Sequence, residues 1–284
     1  QQRTRRGSRR QDQHRGQEAV NRQAERLELA IRRRGCEGLL GQRRRDRLRS
    51  DHPGSRARHR RDHEQRRAPA LTSAKRRDTR HYTMKQLHRP EFFCWSVFDE
   101  ARNIDFHSWL WVRPEGNVLI DPQPLTPHDE AHLRELGGAS LIIVTNSDHV
   151  RDSQKIAGWT GAEIAGPAAE RDGFPITCQR WLAAGDELLP GMSVIEMKGS
   201  KTPGELALLV GDHSLIMGDL VRAHRAGSLT ILPDGKLADR AAAIDSVRQL
   251  LDFTKVQAVL VADGWPIFRD GHRVLRELVA SLDG

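Results

Sequence analysis

The chain has 284 residues with a formal charge of +8, and this charge is unevenly distributed. Residues 1–80 contain 25 Arg, one Lys and 10 acidic residues, a net charge of +16, whereas residues 81–284 contain 20 basic and 28 acidic residues, a net charge of −8. The three cysteines have no paired spacing and no apolar run approaches the roughly 18 residues of a membrane span, which argues against a disulfide-rich secreted domain and against a membrane protein.

The first 83 residues lack the composition of a folded domain. Residues 1–80 contain no Phe, Trp or Tyr, and Met84 is the first methionine. Such a segment buries too little apolar surface to offset the entropy lost on folding, so we expect residues 1–83 to be a disordered Arg-rich arm or a non-native extension. Clustered arginines also occur in nucleic-acid-binding arms, because they neutralise phosphates; a solvated tail is the alternative. The unpaired cysteines are typical of a cytoplasmic protein.

Residues 84–284 alternate between strand and helix patterns in the way that is typical of one α/β domain. The predicted strands are 93–98, 106–112, 118–120, 141–144, 162–165, 186–189, 192–197, 205–210, 214–217 and 258–261. The predicted helices are 127–136, 148–158, 167–171, 238–251 and 271–282. Because a group of strands followed by βα units occurs twice, the sequence predicts an αββα sandwich of two facing mixed β-sheets with outer helices.

Acidic residues and one histidine follow several predicted strands. Asp148 and His149 follow "LIIVTNS", Asp219 follows "SLIMG", and Asp263 follows "AVLVA". Each residue alone is more often a helix cap. Together, carboxylate and imidazole groups at neighbouring strand ends are the ligands that a divalent metal requires. Lys201 lies in a turn of the same region, "GSKTPGELAL".

The order of these motifs resembles that of the metallo-β-lactamase-fold hydrolases, which include the glyoxalase II type thioesterases. The resemblance covers roughly residues 95–284 and rests on five fragments in order, "NVLIDP", "LIIVTNSDH", "GSKTPGELAL", "LIMGDLV" and "VLVADGWPIF". It implies the αββα fold for residues 84–284 and a metal-dependent hydrolase activity. It also implies a metal site at Asp148, His149, Asp219 and Asp263.

The chain departs from the family pattern at four positions. The family's first two metal-binding histidines correspond to Val144 and Asn146, its third to Lys201 and its last to Asp263. The resemblance therefore implies that one half of a dinuclear site is lost and that the other half holds at most one divalent ion. Zinc is the usual ion of the family, and the oxygen-rich set of ligands also suits manganese or iron.

Two functions are compatible with these departures. In the first, Lys201 supplies the charge of the lost ion and Asp148 acts as general base in the hydrolysis of a small ester, thioester or phosphoester. In the second, the domain is catalytically silent and binds a ligand or partner without metal, with Lys201 paired to Asp219 and Asp263. The expected partner is a small molecule, with neither nucleic acid nor membrane bound by the folded domain.

Further residues near these motifs are candidates for supporting roles. Those predicted to bind substrate are Asn146, Arg151, Arg222 and Trp265, and His224 and Arg225 extend the same basic wall. For these residues the simpler alternatives are a helix cap for the Asn, surface ion pairs for the Arg residues and a core position for the Trp. Asp121 is predicted to support the ligand loops through hydrogen bonds. The histidines predicted at the surface are His107, His213 and His272.

Overall fold

The computed structural model describes residues 84–283. The segment 1–83, predicted as a disordered arm or a non-native extension, lies outside the described residues.

Seven strands form the larger sheet, and their order in space is their order in the chain. They are β1 (Lys85–Gln86), β2 (Phe92–Asp99), β3 (Ile104–Trp111), β4 (Val118–Ile120), β5 (Leu141–Ile143), β6 (Glu163–Pro167) and β7 (Arg180–Leu182). Strands β1 to β4 pair antiparallel, and β4 to β7 pair in parallel. The parallel pairs need crossover connections. These are helix α1 (Pro127–Glu135), helix α2 (Ser153–Thr160) and the 3-10 segment Ala168–Gly173.

Four strands form the smaller sheet, in the order β13-β10-β9-β8. They are β8 (Met192–Glu196), β9 (Leu206–Val210), β10 (Ser214–Ile216) and β13 (Ala258–Leu260). Between β10 and β13 lie a separate hairpin, β11 (Val221–Arg225) with β12 (Ser228–Ile231), helix α3 (Arg240–Arg248) and the 3-10 segments Asp234–Lys236 and Gln249–Asp252. Helix α4 (Gly271–Leu282) ends the described chain.

Three apolar layers hold these elements together. The central layer lies between the two sheets and contains Trp109 and Ile120 of the larger sheet with Leu208 of the smaller one. Leu133 of α1 packs on the outer face of the larger sheet, and Leu275 of α4 packs on that of the smaller sheet. The order helix, sheet, sheet, helix confirms the predicted αββα sandwich. Among residues 84–283, no helix combines the length and the apolar character needed to cross a membrane.

The structure differs from the sequence prediction in several segments. Residues 186–189 are not a strand, because Gly185 has φ +84° and the Asp186 carboxylate accepts the Ala183 N–H at 2.9 Å, which closes a turn. The helix predicted from residue 148 begins only at residue 153, after the 3-10 turn Ser147–His149. Strands β7, β11 and β12 were not predicted, because their exposed polar residues interrupt the apolar pattern.

Candidate functional site

A cavity of about 700 Å³ lies where strands of both sheets end. It brings together seven of the residues predicted for the site, Asp148, His149, Arg151, Lys201, Asp219, Arg222 and Asp263. The loops that carry the acidic residues follow β5, β10 and β13. The structure brings these predicted residues to one cavity, although the four predicted ligands do not all meet at a single point.

Lys201 connects two carboxylates of this cavity. Its Nζ lies 2.7 Å from Oδ2 of Asp148 and 2.8 Å from Oδ2 of Asp219. Partial burial lowers the pKa of Lys201, but its hydrogen bonds to the two carboxylates outweigh this effect and raise the pKa above its usual value. Burial alone would raise the pKa of Asp219, yet His149 and Lys201 hold that pKa well below its usual range. At neutral pH Lys201 is therefore an ammonium and Asp219 a carboxylate.

His149 lies on the other side of Asp219. Its Nδ1 donates to Oδ2 of Asp121 at 2.8 Å, and its Nε2 lies 3.4 Å from Oδ1 of Asp219. Burial and nearby Arg151 lower the pKa of His149, but the two carboxylates overcome them and raise the pKa to about 9. The imidazole is therefore protonated at neutral pH, and a protonated imidazole has no lone pair for a metal ion.

Asp121 fixes this histidine, in agreement with its predicted supporting role. Its carboxylate accepts the backbone N–H of Thr145 at 2.8 Å and the Thr145 hydroxyl at 2.6 Å, in addition to the His149 ring. Both Asp121 (φ +48°) and Arg151 (φ +39°) have left-handed backbones, which is uncommon for residues other than glycine. Arg151 Nη1 donates to the Asp121 carbonyl at 2.8 Å and to the His107 carbonyl at 2.6 Å, so it stabilises the loops beneath the cavity.

Asp263 forms a second ion-pair cluster. Arg222 of β11 contacts both of its oxygens, with Nε 3.2 Å from Oδ1 and Nη2 on Oδ2. His224 Nε2 lies 3.3 Å from Oδ2. The predicted metal-free arrangement paired Lys201 with Asp219 and Asp263. The first pair is confirmed and the second is wrong, because Arg222 takes Asp263 and Lys201 pairs with Asp148 instead.

The four predicted ligands, as arranged here, do not fit a metal ion. A metal needs unprotonated donors with free lone pairs that point to one centre at about 2.0–2.6 Å. Here the carboxylates of Asp148 and Asp219 point at the Lys201 ammonium, and Asp263 points at the Arg222 guanidinium. Within residues 84–283, no group of three or more His, Cys, Asp and Glu side chains is placed to hold a metal ion.

The remaining predicted substrate-binding residues do not line this cavity. Asn146 is buried; its Oδ1 accepts the Asp148 N–H at 3.0 Å and its Nδ2 lies 3.4 Å from Asp219 Oδ2, which is the capping role considered for it. Trp265 lines a neighbouring cleft and is 61% exposed, so the alternative of a core position is wrong. Arg225 is exposed on β11, outside the cavity.

The structural role of one buried acidic residue was not predicted from the sequence. Glu205 is fully buried and accepts the Ser200 hydroxyl at 2.5 Å and the Leu220 N–H at 2.7 Å, so it connects the turns that carry Lys201 and Asp219. Burial, with Asp219 close by, raises the pKa of Glu205 to about 7. An acidic residue directly before the apolar run "LALLV" is the signal that could have revealed it.

His107 was predicted at the surface, and this prediction is wrong. The ring is buried, and its Nε2 lies 2.5 Å from the Gly264 carbonyl. Because a carbonyl only accepts, Nε2 carries the proton and Nδ1 accepts from the Ser96 hydroxyl at 2.7 Å. His107 thereby ties β3 to the loop that follows Asp263, a contact across 157 positions of the chain.

Two basic residues of the cavity wall, Arg102 and Lys236, were not predicted from the sequence. Arg102 lies in the loop between β2 and β3, and Lys236 lies in the 3-10 segment after β12. Nothing in their local sequence distinguishes them from other surface cations.

Comparison with known proteins decides the family. The family model of the metallo-beta-lactamase superfamily matches residues 84–282. The chain belongs to the metallo-β-lactamase superfamily. No curated protein matches the chain.

Solved structures of this superfamily's fold resemble the chain over its described part. A metallo-beta-lactamase from Pontibacter korlensis is 14% identical, with 72% of this chain and 100% of that chain covered and a TM-score of 0.58. DIM-1 metallo-beta-lactamase is 11% identical, with 70% of this chain and 97% of that chain covered and a TM-score of 0.56. A flavoprotein from Thermotoga maritima is 15% identical, with 71% of this chain and 61% of that chain covered and a TM-score of 0.54. At these identities the likeness shows the fold alone.

Members of the metallo-β-lactamase superfamily are generally metal-dependent hydrolases. The matches do not specify the glyoxalase II type. The correspondence of the family's metal-binding histidines to Val144, Asn146, Lys201 and Asp263 stays a prediction from the motif resemblance. In the structure, Lys201 places a positive charge beside the acidic residues of the cavity.

Proposed function

We propose that this domain binds a small anion, a molecule with a carboxylate or phosphate group, in the 700 Å³ cavity without requiring a metal ion. The observation that carries the proposal is the pairing of every acidic side chain in the cavity wall with a cation of the protein. Asp148 and Asp219 share Lys201, and Asp263 contacts Arg222. To admit a metal, Lys201 and Arg222 would have to leave these carboxylates, and breaking such partly buried ion pairs costs free energy that metal binding would have to supply.

The charge of the cavity wall supports an anionic ligand. The wall contains five Lys and Arg side chains and three carboxylates, an excess of two positive charges before its histidines are counted. Among the described residues, Lys236 has no ion pair, and Arg102 has only a 3.8 Å contact with Asp99 at the surface. Cations that line a cavity without carboxylate partners raise the local concentration of anions.

We place this activity in the cytoplasm, because Cys94 and Cys178 are free thiols, as is typical of that compartment.

The second candidate is the hydrolase predicted from the sequence, with one zinc, manganese or iron ion and a small ester, thioester or phosphoester as substrate. Two observations favour it: the family, and the convergence of Asp148 and Asp219 on one point, now taken by Lys201 Nζ. It requires Lys201 to leave these carboxylates and His149 to lose a proton.

Metal analysis of the full chain separates the two candidates. The protein is purified without chelator, incubated with excess zinc, manganese or ferrous ion, desalted and analysed by mass spectrometry of the elements. We expect well below one equivalent of each metal. About one equivalent would contradict the proposal and favour the hydrolase.

Anion binding is tested by titration calorimetry of the full chain with methylphosphonate. Lys236→Gln removes a cation from the cavity wall, and we expect it to weaken binding at least about threefold. Arg225→Gln is the matched control, since it removes an exposed cation of β11 outside the cavity and leaves the Arg-rich segment 1–83 unchanged. Equal affinities of all three proteins would contradict anion binding in this cavity.

A further inference from the structure

A second cleft of about 300 Å³ adjoins the cavity. The two spaces share three lining residues, Arg102, Ile104 and His224, so they meet along a common wall. The second cleft also contains Phe98 and Trp265. A cation-lined space and a space with aromatic walls therefore lie side by side.

The aromatic residues of this cleft are unusually exposed. In residues 84–283 only three large apolar side chains are exposed, Trp265 (61%), Phe98 (43%) and Phe268 (37%), and the first two line the cleft. Exposed apolar surface is unfavourable in water, and adjacent exposed aromatic rings often mark a binding site. The cleft thus contains apolar surface that a ligand can cover.

The backbone beneath Trp265 is held rigidly. The Trp265 N–H donates to the Ala223 carbonyl at 2.7 Å, the Gly264 N–H donates to the Asp105 carbonyl at 3.0 Å, and His107 donates to the Gly264 carbonyl. Gly264 has φ +91°, and a Cβ there would lie 2.2 Å from the Ala223 carbonyl oxygen. The backbone that carries the exposed indole is therefore fixed, so less conformational entropy of the protein is lost when a ligand binds.

We propose that the two spaces bind one ligand, an aromatic carboxylate or aryl phosphate. Its ring lies against Trp265 and Phe98, and its anionic group lies in the cavity near Arg102 and Lys236. Charge complementarity selects this occupant, because the wall of the cavity carries excess positive charge, whereas the cleft adds two aromatic rings and only one further charged residue, Asp105. The anionic half of the proposal rests on the proposed function.

Titration calorimetry of the full chain with three probes tests the proposal. Phenylphosphonate carries a ring and a charge, methylphosphonate lacks the ring, and benzyl alcohol lacks the charge. We expect phenylphosphonate to bind at least about tenfold more tightly than either of the others. Trp265→Ala should remove this advantage and leave methylphosphonate binding unchanged. Phe268→Ala, an exposed aromatic residue outside the cleft, is the matched control and should change neither.

The outcomes distinguish this proposal from the proposed function. Equal binding of phenylphosphonate and methylphosphonate, or an unchanged ring advantage in Trp265→Ala, overturns the aromatic subsite and leaves anion binding intact. Absence of binding by both phosphonates overturns the proposed function as well. The cleft could instead be covered by a second copy of the chain; a Trp265→Ala variant that sediments as a smaller species than the wild type would show this and would overturn the proposal.

Discussion

Substituting Lys201 by methionine removes the cation shared by two carboxylates while keeping the length of the side chain. In the wild type, Nζ makes contacts of 2.7 Å and 2.8 Å, and the partner Asp219 is buried. Loss of one partner of a fully buried pair costs about 3–5 kcal/mol. The Lys201 side chain is 29% exposed and Asp148 more so, which reduces the effect, so we expect a loss of about 2 kcal/mol.

Urea unfolding of the full chain, followed by circular dichroism at pH 7, measures this loss. It corresponds to a fall of about 4–8 °C in the melting temperature of a domain of this size. Lys255→Met is the control, because it breaks only an exposed pair with Asp212, which solvent screens, and it should leave the stability close to that of the wild type.

The pH dependence provides a second measurement on the same variant. The pKa of Asp219 is depressed in the folded state, so its ion pairs stabilise the protein above the unfolded pKa of about 3.9 and lose their effect as the pH falls toward the depressed value. The difference between wild type and Lys201→Met should therefore be largest above about pH 5 and shrink below about pH 4. A variant as stable as the wild type at pH 7, or a difference that persists unchanged in acid, would refute the reasoning.

Two further predictions concern His149 and Gly264. The pKa of His149 is raised to about 9 in the folded state, above its unfolded value of about 6.5, so its stabilisation is complete below pH 6.5 and is lost as the pH rises through 9. We expect wild-type stability in urea to fall between pH 7 and pH 10 more steeply than that of His149→Gln; parallel profiles would contradict a protonated imidazole. Gly264→Ala should destabilise the protein by more than about 3 kcal/mol, because its φ is +91° and the added Cβ meets the Ala223 carbonyl. Gly227→Ala, with φ +79° and open space around it, should lose only about 1 kcal/mol, and equal losses at the two glycines would show that the close contact has no effect.

Much of the fold could be predicted from the sequence because its central strands are continuous apolar runs. The runs at β5 and β13 are buried on both faces, and each is followed by polar residues that enter the cavity. Such segments have only one favourable environment, the middle of a covered sheet. The convergence of Asp148, Asp219 and Asp263 on one region followed from this reasoning.

The pairing of charges within the cavity could not be predicted in the same way. Whether Lys201 meets Asp148 or Asp263 depends on differences of a few ångströms between loops far apart in the chain. Arg222 was predicted to bind substrate, with a surface ion pair as the alternative, and its contact with the buried Asp263 was not foreseen. The burial of His107 likewise depends on a carbonyl distant in the sequence.

The charges beneath the cavity alternate in sign from Asp121 through His149, Asp219 and Lys201 to Asp148. Each inner member of this series has an oppositely charged neighbour on both sides, so no single replacement can change its sign without stranding two others. Replacing one inner member alone therefore removes two ionic contacts at once, and only coordinated substitutions of its neighbours would keep every charge of the series paired.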